Sequence, residues 1–107
     1  MSLVKVTSLW NLPAELSEGE FEKWYLEKHV PEAKKIPGLR KYVINKVHPK
    51  YQAESRYYRM VELCFDSVEE LEAALQSKEW QEAFKDAAGK VADFIRLYFV
   101  EDEVPLG

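Results

Sequence analysis

The chain has 107 residues, of which 47% are apolar and 32% charged, with 15 basic against 19 acidic side chains and a net charge of −4. These values describe one folded domain spanning residues 1–107 and exclude a disordered chain or a string of domains. The apolar runs are far shorter than the ~20 residues that cross a bilayer, and no basic patch of the kind that holds phosphates stands out, so neither a membrane nor nucleic acid is expected as a partner. The single cysteine, Cys64, allows no intrachain disulfide and fits a reducing compartment. The apolar start is broken by Lys5 and reads as a strand rather than a leader, which makes the expected location the cytoplasm.

Residues 3 to 10, rich in β-branched and apolar side chains, predict a first strand that ends at Asn11-Leu12-Pro13. Ser17, with Glu20 three residues on, forms a capping-box pattern and opens a helix reaching about Ile36. Its inward arc carries Phe21, Tyr25, Leu26, His29, Val30, Ala33 and Ile36, with Glu22 interrupting it. Pro31 removes a backbone donor inside this helix, so a kink or stop is expected near His29. Pro37-Gly38 ends the segment, and residues 39 to 47 predict a second strand. A polar loop from His48 to Arg56 leads to a third strand at 57 to 65. Ser67 with Glu70 repeats the capping pattern, and a continuation of that helix or a second segment carries Trp80, Phe84 and Ala87, with Gly89 marking its end. Residues 92 to 101 predict the last strand.

The order βαββαβ is the ferredoxin-like arrangement, an α+β sandwich with two helices on one face of a four-stranded antiparallel sheet. Neither face of the predicted strands is plainly polar, and an uncovered apolar sheet face is a binding surface or an oligomer interface. The expected assembly is a homodimer in which two sheets meet across their free faces, enclosing a cavity walled by Tyr42, Met60, Glu62, Cys64, Arg96 and Tyr98.

His29 is the side chain in the first helix whose ordinary pKa allows proton transfer near neutral pH. An inward-facing histidine is either a hydrogen-bonded core residue or a group able to move protons near neutral pH. The two histidines, His29 and His48, and the lone cysteine lack metal-ligand spacing, and no glycine-rich phosphate loop is present, so no metal and no cofactor is expected.

The segment Phe21-x-x-x-Tyr25-x-x-x-His29-x-Pro31, followed by Pro37-Gly38-Leu39-x-x-Tyr42, resembles the EthD family of the dimeric α/β-barrel superfamily. Glu62-x-x-Phe65 leading into the helix from Ser67 adds to the match, and Glu79-Trp80 with the acidic end Glu101-Asp102-Glu103 extends it. The resemblance implies a ferredoxin-like protomer that dimerises into a barrel. Its activities vary: the founding member is encoded with an ether-degrading cytochrome P450 system, and relatives include methylmuconolactone isomerases. By resemblance to the isomerase-like members, His29, Tyr42 and Glu62 are the candidate catalytic residues, with Tyr25, Met60, Cys64, Arg96 and Tyr98 lining the cavity. In that scheme His29 is the base, Tyr42 donates to a developing oxyanion, and Glu62 holds the imidazole or exchanges protons itself. The competing readings are an interface aromatic for Tyr42, a carboxylate paired with Arg59 or Arg96 for Glu62, and a small buried hydrophobe for Cys64.

The resemblance implies a small-molecule protein of a degradative or biosynthetic pathway. The favoured activity is a cofactor-free isomerase, cyclase or dehydratase acting on a small apolar or aromatic carbonyl or lactone compound. The alternatives are a non-catalytic accessory or ligand-binding protein for an oxidative degradation system, and a cofactor-free or haem oxygenase with His29 as axial ligand.

Overall fold

The computed structural model of the chain describes residues 2–107. Strand β1 (Leu3–Asn11) is followed by one continuous helical run built of α1 (Glu18–Trp24), a π-helical turn (Tyr25–His29) and α2 (Val30–Ala33). Strands β2 (Lys41–Lys46) and β3 (Arg59–Phe65) come next, then α3 (Val68–Leu75), α4 (Lys78–Ala87) and β4 (Ala92–Glu101). The antiparallel sheet has the order β2-β3-β1-β4, with the two crossing connections that the ferredoxin-like arrangement requires.

Local sequence sets the helix ends. Ser17 accepts from the Glu20 amide while the Glu20 carboxylate takes the Ser17 amide, a complete capping box. Ser67 makes the first half of the same device with the Glu70 amide. The expected irregularity before Pro31 takes the form of the π turn, in which the Val30 amide donates to the Tyr25 carbonyl. Pro31 has no amide hydrogen with which to continue the ordinary ladder. Pro37-Gly38 turns the chain with Gly38 at a φ of +79°, a conformation that favours glycine.

Register decides which side chains share a face. Tyr42 pairs with Leu63, Leu63 with Val6, and Val6 with Tyr98. Val61 pairs with Ser8, and Ser8 with Arg96. These residues lie on the helix-covered face. Lys5, Glu62, Cys64, Met60, Val43, Leu97 and Phe99 therefore lie on the other, because successive side chains alternate.

Two apolar clusters fill the space between sheet and helices. One holds Val6, Ile36, Leu63, Phe65 and Leu71; the other holds Trp10, Phe21, Tyr25, Tyr58 and Val61. Glu22, which broke the apolar arc of the first helix, takes Arg59 at 2.6 Å and the Tyr58 hydroxyl at 2.7 Å. This pairing accounts for Arg59, whose side chain is only 4% exposed. No helix among the described residues is long and apolar enough to cross a membrane.

Candidate active site

A pocket of about 80 Å³ opens where the two clusters meet, between α4, the π turn and the covered face of the sheet. His29 enters it from the π turn, Tyr25 from the start of the same turn, Tyr42 from β2 and Arg96 from β4. Trp24, Trp80 and Phe84 supply much of the aromatic wall.

His29 is held from behind. Its side chain is 15% exposed, and Nδ1 lies 3.2 Å from Oδ2 of Asp86 on α4. The other Asp86 oxygen receives Lys28 Nζ at 3.1 Å and the Trp24 indole N–H at 3.3 Å. Burial alone would raise the Asp86 carboxyl, but the bonds from Lys28, His29 and Trp24 outweigh it and hold the group below its ordinary value. An ionised carboxylate only accepts, so Nδ1 carries the proton and Nε2 of the neutral ring is left as the free base. The ring stacks on Tyr25 at 5.5 Å between centroids and leans on Trp24 at 5.1 Å, so its orientation is fixed on both sides.

Glu32, one turn beyond His29, completes a cluster in which ligand-type atoms of His29, Glu32 and Asp86 all lie within 4.8 Å of one another. These are groups that can bind a divalent cation. Burial, and then the Asp86 carboxylate beside it, push the Glu32 carboxyl above its ordinary value. Two neighbouring carboxyls are thus driven apart, Asp86 toward ionisation and Glu32 toward holding a proton.

The phenol groups of Tyr25 and Tyr42 face one another, and burial raises both above the ordinary tyrosine value. Both therefore stay protonated and able to donate at neutral pH. Tyr25 Oη lacks a partner of good hydrogen-bond geometry, as do Trp10 Nε1 and Arg96 Nε, which border the same pocket.

Four residues of the sequence scheme do not join this pocket. Glu62 lies on the opposite face of the sheet, 2.5 Å from Lys5 and 3.5 Å from Asn45 Nδ2, so within the protomer it does not hold the His29 imidazole. It pairs with Lys5 rather than with Arg59 or Arg96. Bonds from Lys5, and further from Asn45, keep its carboxyl below the ordinary value despite partial burial. Met60 and Cys64 share that opposite face, and burial raises the Cys64 thiol. Tyr98 is on the covered face but borders no part of the pocket and is 52% exposed. The cavity described here runs between sheet and helices of one chain, whereas the expected one lay between two sheets and drew its walls from both faces.

Asp86 and Glu32 were missed in the sequence. Asp86 follows Ala83 by three residues and so flanks the buried side of α4, and Glu32 follows His29 by the same step. Those are the signals that mark them.

A four-stranded antiparallel sheet with its helices on one face and a pocket between the two layers defines a ferredoxin-like α+β protein. The family model described as the EthD domain matches residues 13–95, and the chain belongs to that family. It is 28% identical over 104 residues to an uncharacterised 11.0 kDa protein from the thcB-thcC intergenic region of Rhodococcus erythropolis, covering 97% of this chain and 99% of that one. Among solved structures it is similar to an EthD family protein of Bacillus halodurans, with a TM-score of 0.76, 27% identity and coverage of 95% and 99% of the two chains. A dimeric ferredoxin-like protein of Thermobifida fusca superimposes with a TM-score of 0.75 at 15% identity, over 92% of this chain and 90% of that one.

Proposed function

We propose that the pocket between sheet and helices binds a compact carbonyl or lactone compound and moves a proton on it without a cofactor, as an isomerase, cyclase or dehydratase does. The observation that carries this reading is the His29–Asp86 pair at the wall of the pocket, in which the neutral imidazole donates from Nδ1 and keeps Nε2 as its basic nitrogen. His29 takes the proton next to the carbonyl; Tyr42, held protonated, donates to the oxyanion that forms. The pocket's aromatic wall lowers the local polarity, which strengthens both interactions.

A ligand-binding accessory role without chemistry is the second reading. It is favoured by Trp10 Nε1, a buried donor without a hydrogen-bond partner among the described residues that a bound acceptor would satisfy. In either case the functional unit is proposed to be a homodimer joined through the free sheet face.

The test is α-carbon hydrogen exchange in deuterated water, followed by NMR over a panel of small lactones and keto acids. The catalytic reading expects exchange with at least one compound, and a loss of about 10²–10⁴ in rate for a folded His29→Gln variant. Near-normal exchange by that variant removes His29 from the chemistry. Compounds that bind in the pocket but never exchange support the accessory reading.

A further inference from the structure

Among the described residues two half-buried cations have no acidic partner, Lys90, whose Nζ lies 5.6 Å from the centroid of the Trp24 ring, and Arg96, and of the two only Arg96 borders the pocket. Arg59 pairs with Glu22, and Lys5 pairs with Glu62 and Glu101. Arg96 lies beside the pocket with no ion pair among the described residues, and its buried Nε makes no hydrogen bond. The guanidinium is instead surrounded by rings: its Cζ is 5.2 Å from the centroid of Trp80, 5.6 Å from Phe84 and 5.7 Å from Phe94. Such faces attract a cation and hold its plane, but they accept none of its forked N–H bonds in the way an oxygen does.

Among the described residues no aspartate or glutamate lines the pocket. Asp86 and Glu32 stand behind the His29 ring, and Asp93, close in sequence, is taken up by the Asn11 side chain at 3.1 Å. Arg96 is thus a permanent positive charge on a mostly apolar wall, without a counter-ion, in a chain whose net charge is −4. Ser8, its cross-strand neighbour, adds a hydroxyl at the same level of the sheet.

We infer that the ligand of this pocket is a compact planar organic anion whose carboxylate or enolate pairs with Arg96 while its flat body lies among the aromatic side chains. A planar bidentate anion matches the guanidinium fork, and the rings that hold that fork also offer stacking faces to the ligand. The inference rests on the proposal that the pocket takes a small ligand, and adds its charge and shape.

The test compares benzoate, neutral benzamide and acetate, titrated into the intact protein. The indole N–H signals of Trp10, Trp24 and Trp80 report on occupancy by NMR, because all three side chains border the pocket. Benzoate is expected to bind at least about tenfold more tightly than benzamide, and acetate more weakly than benzoate, with tenfold corresponding to ~1.4 kcal/mol. Arg96→Gln should erase the preference for benzoate over benzamide, and Arg96→Lys, which keeps the charge but not the fork, should restore only part of it. Should Arg96→Gln fail to fold, the ratio in the unaltered protein decides alone. Equal binding of benzoate and benzamide overturns the anion inference and leaves the ligand pocket standing. Binding of neither overturns both.

Discussion

Asp86 on α4 reaches across to the π turn and places Oδ2 3.2 Å from Nδ1 of His29, joining two residues 57 positions apart. The same carboxylate gathers Lys28 and Trp24, so one side chain fixes the whole rear of the site. The π turn makes this possible: it ends at His29, two residues before Pro31, and it presents both Tyr25 and His29 to the pocket.

Replacing Asp86 by Asn should cost about 1–3 kcal/mol of folding stability, because a charge-assisted acceptor for three donors is weakened in a half-buried site. Urea unfolding measures this. The variant should remain folded, and any exchange activity assigned to His29 should fall with it. A variant as stable as the parent would show that the three bonds contribute nothing.

Glu32 should be a liability at neutral pH. Its carboxyl titrates higher in the folded chain than in the unfolded one, so folding binds a proton and stability falls as pH rises through that interval. Glu32→Gln removes the penalty. Thermal melts should show the variant more stable than the parent near pH 7, with the difference vanishing below about pH 4, where both states are protonated. A destabilised variant at pH 7 would contradict this.

The Lys5–Glu62 pair on the free face has the opposite sign. Glu62 is held below its ordinary value by the bond from Lys5, so its contribution is present above the unfolded value and is lost as pH falls through the folded one. Glu62→Gln should therefore lower the melting temperature near pH 7 and match the parent in strong acid. Since Glu62 faces away from His29, ligand titrations in the pocket should be unchanged by it.

Leu97 and Phe99 lie on the free face of an edge strand, 42% and 47% exposed. Exposed apolar side chains of this size on one face mark an interface. Light scattering should give a dimer for the parent chain and a monomer for Leu97→Glu combined with Phe99→Glu. A monomeric parent at micromolar concentration would contradict the proposed assembly.

The fold was legible because its signals are local. Ser17 with Glu20, Ser67 with Glu70, Pro37-Gly38 and the alternation in β3 each depend on neighbours in sequence, and each marks an element present in the structure. The site was legible only in part. Alternation separated Leu63 from Glu62, but it does not tell which set the helices cover when both faces carry apolar side chains. Hence the strand pattern alone puts Glu62, Met60 and Cys64 beside Tyr42 and Arg96, from which a sheet's thickness separates them. Asp86 meets His29 through the packing of α4 on the first helical run, a relationship no local pattern encodes.

The most direct test of the account is the tautomer of His29, read by long-range nitrogen–proton NMR at about pH 9, where ordinary imidazoles are neutral. His48 provides an internal reference, because its Nδ1 accepts the Lys50 amide at 3.1 Å and its proton must sit on Nε2. The spectrum should show two different tautomers, with the His29 proton on Nδ1, and the His29 pattern should change in Asp86→Asn. If His29 instead carries its proton on Nε2, the ring has no free base at the pocket wall and the proposed chemistry is contradicted.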